Sequence, residues 1–171
     1  MTTSRTTLPT RDAVLAVLDT VLDPEVPVLS VRELGIVRDV EIDAAGAVTV
    51  VVTPTYSGCP AIQVIERDIL DALHAAGISS ARIRTTYSPP WTSDWIPETA
   101  REKLKAYGIA PPSPAAPNAG LVELLRAPRT PRCPRCDSRD TEVRSEFGST
   151  ACKSICWCRS CGQPFEEFKG I

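Results

Sequence analysis

Two pairs of closely spaced cysteines constrain this chain more than any other feature of its sequence. The first pair lies in "CPRC" (133–136) and the second in "CRSC" (158–161), with 21 residues between them. A Cys-x-x-Cys turn directs two sulfurs at one point, so two turns supply the four thiolates of a tetrahedral metal site. A segment of about 40 residues buries too little apolar surface to fold by itself, whereas a structural zinc contributes roughly 10–16 kcal/mol in peptide systems. The pattern predicts a zinc ribbon over residues 132–171 whose Zn²⁺ is bound by four ribbon cysteines: Cys133, Cys136, Cys158 and Cys161.

Iron is the competing occupant of this site, because four thiolates also hold a single iron or an iron–sulfur cluster. Two further cysteines, Cys152 and Cys156, are either small apolar residues packed beside the metal or alternative ligands. Nucleic acid is not an expected partner. Residues 129–171 carry eight basic and six acidic side chains, and four thiolates with one Zn²⁺ add two negative charges. A nearly neutral ribbon is a poor surface for phosphates, and Trp157 is expected in its core.

The whole chain has the composition of a globular protein, with 43% hydrophobic and 23% charged residues. Its net charge of −2 gives no sign of a membrane-surface partner. Residues 1–9 are polar, lack the apolar core of a signal peptide and are predicted to be disordered. No apolar run is long enough to span a bilayer. We therefore expect a cytoplasmic protein whose seven cysteines are thiols or metal ligands and not disulfides.

Apolar spacing predicts a small α+β domain over residues 10–110, in the order helix, strand, strand, helix, strand, helix. Helices are predicted over 10–22, 60–76 and 96–108, and strands over 36–42, 47–53 and 81–87. Alternation in the second strand suggests that only one of its faces is buried. Six of the 16 prolines lie between residues 109 and 131. They indicate a linker over 111–131, interrupted by a short helix at Leu121–Arg126.

A lone cysteine, Cys59, directly precedes the second predicted helix in "TYSGCPAIQ". At a helix start its sulfur faces unpaired backbone N–H groups and the positive end of the dipole. That environment lowers a thiol pKa from about 8.5 to roughly 3.5–7.5; a buried structural cysteine is the alternative. The single histidine, His74, is about 22 Å further along the same helix, so Cys59 lacks the base that a cysteine nucleophile needs. Metal handling needs no histidine, because one thiolate per subunit can be pooled across a homodimer or with a client protein.

Two other features near Cys59 each have two interpretations. The Asp23–Pro24–Glu25 turn either ends the first helix with two solvated acids or has a functional role. Trp91 and Trp95 either cover the mouth of the Cys59 site or are packing residues whose indole N–H groups are satisfied. The adjacent prolines favour packing.

Several stretches together resemble a known family. "LDPEVP", "LGIV", "TPTYSGCPA" and "PPWTSDWIPETAREKLKAYGIAPP" resemble the small domain of SufT-type iron–sulfur maturation factors. With "CPRC…SEFGSTACK…CRSCGQPFEEFK" they resemble the PaaD family, whose members are accessory subunits encoded with the multicomponent phenylacetyl-CoA epoxidase. The resemblance covers residues 10–171. It implies an accessory, non-catalytic role in bacterial phenylacetate catabolism, with epoxidase subunits or iron–sulfur assembly proteins as partners.

The resemblance also implies roles for individual residues. It makes Cys59 the functional thiol, Asp23 and Glu25 its acidic turn, Cys152 a supporting thiol, and the four ribbon cysteines the metal ligands. We therefore expect Cys59 to bind iron or an iron–sulfur cluster transiently for the epoxidase, while the ribbon docks on a partner. An electron-transfer subunit with iron in its ribbon and a non-catalytic scaffold are the alternatives.

Overall fold

The computed structural model describes residues 8–56, 58–113 and 129–170. Residues 1–7 of the predicted disordered terminus and the predicted helix Leu121–Arg126 lie outside the described residues. The chain divides into two compact units, Met1–Pro89 and Pro90–Ile171. The helices are α1 (Arg11–Leu18), α2 (Ile62–Ala75), α3 (Glu98–Tyr107) and a 3₁₀ turn (Ser93–Trp95); the strands are β1 (Val37–Ile42), β2 (Val48–Val52), β3 (Ala81–Thr85), β4 (Ile109–Ala110), β5 (Thr141–Ser145), β6 (Lys153–Cys158) and β7 (Gln163–Phe168).

The first unit packs α1 and α2 on a three-stranded sheet of order β1-β2-β3. The pair β1–β2 is antiparallel and the pair β2–β3 is parallel. The apolar stripe predicted for the second helix is buried at Ile65, Ile69 and Leu73. These side chains form the core with β2, so the order of elements predicted from apolar spacing is confirmed.

All five residues of β2 are buried, although alternation suggested one buried face. Long side chains from both neighbouring strands cover the second face. Arg82 on β3 donates from Nε to the Thr49 hydroxyl at 2.8 Å, and Arg84 on β3 forms an ion pair with Glu41 on β1. Charged side chains from β1 and β3 therefore cover the second face of β2. The alternation of residues along β2 does not reveal this cover.

The first helix is shorter than the predicted span of 10–22. Thr10 caps α1 by accepting from Ala13 N–H at 3.2 Å, but α1 ends at Leu18. The following residues extend and fold back, so that Leu22 bridges Ser30. Because this segment is extended, Leu22 is exposed, whereas helical spacing placed it on the apolar stripe.

The second unit has a four-stranded sheet of order β4-β7-β6-β5. Strands β5, β6 and β7 form an antiparallel meander, and β4 lies parallel to β7. Trp91 is buried and packs on Phe168, with ring centroids 6.1 Å apart, as the packing interpretation requires. No helix among the residues that the structure describes is long and apolar enough to cross a membrane. The α+β class with a C-terminal ribbon is confirmed.

The division into units differs from the one expected from the proline-rich segment. The predicted third helix is present as α3, but it belongs to the second unit and contacts β4. Residues Ile109 and Ala110 of β4 pair with Glu166 and Glu167 of β7. The boundary between the two compact units lies near residue 89, and residues 114–128 of the predicted linker lie outside the described residues.

Candidate metal-handling sites

The two Cys-x-x-Cys turns are built alike. Each is followed by a residue in the left-handed backbone region, Asp137 at φ 62° and Gly162 at φ 65°. The N–H of Asp137 donates to the carbonyl of Cys133, and the N–H of Gly162 donates to that of Cys158, both at 2.9 Å. Aspartate is one of the few side chains that tolerate this conformation. These turns close tightly enough to aim both sulfurs of each pair at the same point.

The four ribbon cysteines are brought together by these turns. Their sulfurs all lie within 4.8 Å of one another, and the Cys133–Cys161 and Cys136–Cys158 sulfur pairs are 3.7 and 3.5 Å apart. Four sulfurs bound at about 2.3 Å to one tetrahedral ion are about 3.8 Å apart. The donor set therefore fits one Zn²⁺ or one iron ion, whereas a multinuclear cluster needs its thiolates further apart.

Backbone amides support the thiolate form of one buried ligand. The N–H of Cys161 is the main cause that lowers the pKa of the Cys158 thiol to about 7. Hydrogen bonds from amides to the sulfur favour its charged form. A metal ion then displaces a proton that is already weakly held.

The remaining ribbon cysteines lie outside the four-sulfur cluster. Cys156 is fully buried beside Cys133 and Cys158, and its burial raises the pKa of its thiol to about 11. Cys152 is buried too, with its sulfur 3.1 Å from the Thr150 hydroxyl. Both arrangements favour the packing interpretation over an additional ligand.

Trp157 is not a core residue. It alternates along β6 with the buried Cys156, so its ring lies on the opposite face of the ribbon sheet, where it is half-buried. Its partners across the sheet are Glu142 and Pro164. The core of the ribbon is formed by cysteines and Phe165 instead.

Cys59 lies in the turn that leads from β2 into α2. Its N–H donates to the Tyr56 carbonyl at 3.2 Å, and α2 begins three residues later with no side-chain cap. The thiol is half-buried, and the backbone N–H groups of Ala61 and Ile62 and the Thr55 hydroxyl favour its charged form. The thiol thus faces amides at the first turn of the helix.

The predicted lowering of the Cys59 pKa is nevertheless wrong. Burial raises the pKa of this thiol above its ordinary value, and the negative charge of Glu25 raises it further. The polar groups of Ala61, Thr55 and Ile62 act in the opposite direction but do not outweigh burial. The thiol is therefore protonated at neutral pH unless a cation replaces its proton.

The Asp23–Pro24–Glu25 turn is not a pair of solvated acids. Asp23 is buried, and its Oδ1 accepts from the N–H groups of Glu25 and Val26, both at 2.8 Å. These bonds hold the turn so that the Glu25 carboxylate acts electrostatically on Cys59. The acidic turn thus acts electrostatically on a thiol that lies 34 residues away in sequence.

Two further residues bear on this site: Thr55, which acts on Cys59, and His74, which does not. Thr55 was missed by sequence reasoning, although it stands in the stretch "TPTYSGCPA" four residues before Cys59. His74 is exposed in the last turn of α2, at the end opposite to Cys59. The site contains a thiol, a hydroxyl and a carboxylate, which suit cation binding, and His74 cannot act on Cys59 as a base.

Comparisons with known proteins match each part of the chain separately. A family model described as an iron–sulfur cluster assembly protein matches residues 11–81. A second, described as the PaaD zinc beta ribbon domain, matches residues 118–169. The crystal structure of a domain of unknown function, DUF59, from Bacillus anthracis has a TM-score of 0.51 and 26% identity, covering 55% of this chain and 90% of its own. These matches define the class: an iron–sulfur assembly domain joined to a zinc ribbon.

Relatives of known name cover either the first domain or nearly the whole chain. An iron–sulfur protein maturation auxiliary factor from Porphyromonas gingivalis is 36% identical over 98 residues, which is 57% of this chain and 92% of that protein. An Escherichia coli K12 protein, named as a putative subunit of the 1,2-phenylacetyl-CoA epoxidase, is 42% identical over 156 residues, 91% of this chain and 90% of that protein. The chain belongs to the family of this epoxidase subunit, the PaaD family.

Proposed function

We propose that this chain is an accessory maturation factor for a phenylacetyl-CoA epoxidase system and has no catalytic activity of its own. In this proposal Cys59 transiently binds iron or an iron–sulfur cluster on its way to the epoxidase system. The observation that carries it is the placement of Cys59: a half-buried thiol in the turn that leads into α2, where the Ala61 and Ile62 amides and the Glu25 charge act on it. Relatives named as iron–sulfur maturation factors and as an epoxidase subunit support it.

The raised pKa of Cys59 suits a ligand that must release its cargo. Cation binding replaces the thiol proton, which leaves to solvent, so the affinity for metal falls as the pH falls. Below the pKa of the thiol, the affinity decreases by about tenfold per pH unit for one proton released. Glu25 offsets part of this loss of metal affinity, because its negative charge attracts the incoming cation. When the cargo leaves, the sulfur takes up a proton from solvent again, because its pKa is raised.

The ribbon is assigned a structural role in this proposal. Cys133, Cys136, Cys158 and Cys161 would hold Zn²⁺, which folds the ribbon and leaves no open coordination position for chemistry. The folded ribbon then offers a surface for a partner. Zinc is the ion proposed, because it supplies folding free energy without redox chemistry.

The test is replacement of Cys59 by serine in zinc-loaded protein prepared without oxygen. We expect Cys59→Ser to lose the iron bound per chain after exposure to Fe²⁺ and sulfide, while it keeps the ribbon zinc. In cells whose own copy is deleted, the variant should support at least about tenfold less epoxidation than the native chain. Metal analysis and product formation measure the two effects.

Cys152→Ser is the matched control, since Cys152 lies outside the four-sulfur cluster and already contacts a hydroxyl. It should bind iron and support epoxidation like the native chain. Full epoxidation with Cys59→Ser would contradict the metal-binding role of Cys59 and favour the scaffold alternative. Reversible iron–thiolate absorption that depends on the ribbon cysteines would instead establish electron transfer.

A further inference from the structure

The two edges of the sheet in the first unit differ in how they are protected. At the β1 edge the register shifts between Val37 and Asp39, and the Arg11 guanidinium covers the Val40 carbonyl at 2.6 Å. A bulge and a covering charge both prevent pairing with another strand. Neither a bulge nor a side chain bonded to the outer backbone groups is present at β3 among the residues that the structure describes.

The free edge of β3 is regular. The bonds Val48 N–H to Ser80 carbonyl and Thr86 N–H to Val52 carbonyl, both 2.8 Å, mark the two ends of the β2–β3 ladder. Bonding residues alternate in a parallel pair, so Arg82 and Arg84 use their backbone groups toward β2. The backbone groups of Ala81, Ile83 and Thr85 point away from it. In its own unit β3 contacts only β2 and α2 among the described elements, and these outward groups are open to an added strand.

The side chains beside this edge determine which charge an added strand should carry. Arg82 and Arg84 are exposed on the same face of the sheet. Arg84 is already paired with Glu41, but Arg82 uses only Nε, toward Thr49. Its two terminal nitrogens have no partner within the described ranges, which leaves a forked donor of the kind that binds carboxylates.

The same charges disfavour self-association through this edge. A two-fold pairing of β3 with β3 in a second copy would place arginines opposite arginines, and like charges across a strand pair are destabilising. On the helix side of the sheet, the one described carboxylate that contacts β3 is Glu66, which accepts from the Thr85 hydroxyl at 2.7 Å. An acidic residue is therefore favoured on the open face, opposite Arg82.

We propose that the β3 edge is a docking site for an extended acidic segment of a partner protein. The segment adds as a fourth strand, bonds to the backbone groups of Ala81, Ile83 and Thr85, and places a carboxylate on the Arg82 guanidinium. Main-chain bonds supply affinity and the side-chain contact supplies specificity, as in other strand additions. This site is separate from the Cys59 chemistry and concerns how the first unit holds a partner.

The test measures binding of a fluorescein-labelled peptide of alternating glutamate and valine, about seven residues long, to the full zinc-loaded chain. Fluorescence anisotropy should show saturable binding, and R82Q should weaken it by about tenfold, because a charge-assisted hydrogen bond is lost. R67Q is the matched control: it removes the same charge from an exposed α2 arginine paired with Asp68 and should bind like the native chain. A peptide with lysine in place of glutamate should not bind.

Backbone methylation separates strand addition from simple charge attraction. An added strand bonds through one of its edges, so N-methylation of one alternate set of peptide amides should abolish binding while methylation of the other set is tolerated. Equal binding of the two methylated peptides, unchanged binding by R82Q, or no saturation at about 1 mM overturns the proposal. Self-association of the chain that R82Q strengthens would also overturn it and assign the edge to a second copy.

Discussion

The electrostatics of Cys59 depend on residues from three separate stretches of chain. Backbone amides at the start of α2 and the Thr55 hydroxyl favour its thiolate, whereas burial and the Glu25 charge oppose it. A helix N-terminus by itself stabilises a negative charge by about 0.3–1 kcal/mol when exposed. Desolvation of a thiolate that is half-buried exceeds this contribution, so the net direction is upward.

Replacement of Glu25 by glutamine tests this balance at the residue scale. Loss of the nearby negative charge favours the thiolate, so the pKa of Cys59 should fall in Glu25→Gln. The measurement is the rate of Cys59 alkylation by iodoacetamide as a function of pH, resolved by mass spectrometry of zinc-loaded protein. The midpoint of the rate profile should move to lower pH.

Asp71→Asn provides the control, because Asp71 is an exposed acid of α2 that does not contribute to the shift at Cys59. Its alkylation profile should match that of the native chain. A midpoint that stays in place in Glu25→Gln, or that moves upward, would contradict the electrostatic role of Glu25.

The sequence predicts only part of this site, for a physical reason. The position of Cys59 before a helix follows from Pro60 and the apolar spacing behind it. Its burial and its proximity to Glu25 depend on how the turn after α1 packs, and that turn is held by the buried carboxylate of Asp23. Tertiary contacts therefore reverse a pKa direction that the local pattern alone indicates.

At the scale of elements, the start of the second unit is organised by one arginine. Arg101 of α3 donates to three carbonyls: from Nε to Ile96 at 3.1 Å, from Nη1 to Pro112 at 2.6 Å and from Nη2 to Ser93 at 2.9 Å. The Arg101 guanidinium therefore joins the 3₁₀ turn, α3 and the segment after β4. A planar guanidinium can satisfy all three acceptors at once.

Arg101→Lys should destabilise the second unit by about 1–3 kcal/mol, because one ammonium cannot reach all three carbonyls and leaves acceptors unsatisfied. Urea unfolding of the zinc-loaded chain, followed at residues of the second unit by hydrogen exchange, measures the loss. Arg139→Lys makes the same chemical change at an exposed position and should leave stability within about 0.5 kcal/mol of the native value. Equal stability of the two variants would exclude the bracing role of Arg101.

The same region shows why a boundary between units is hard to predict from sequence. Periodicity identifies α3 correctly, since its apolar residues and the glycine after it are local signals. It cannot identify β4, a strand of two residues, Ile109 and Ala110. The pairing of β4 with β7, more than 50 residues later, joins this segment to the second unit, and only the fold reveals it.

At the scale of the whole molecule, the two units depend on different sources of stability. The first has a core of aliphatic side chains from α1, α2 and β2. The ribbon core contains Cys133, Cys156 and Cys158 with Ala110 and Phe165, so three of these five buried side chains are cysteines. A tetrahedral cation bound by the four clustered sulfurs would add the folding free energy that this small core lacks.

Removal of zinc by a chelator under reducing conditions should therefore unfold the ribbon and spare the first unit. Hydrogen exchange should show loss of protection over residues 129–170, while residues 11–85 keep the protection of the native chain. Addition of Zn²⁺ should restore the ribbon, and Co²⁺ should restore it with thiolate–cobalt absorption. Cys136→Ser should weaken metal binding and Cys152→Ser should not. Undiminished protection of residues 129–170 without metal would show that side-chain packing alone folds the ribbon.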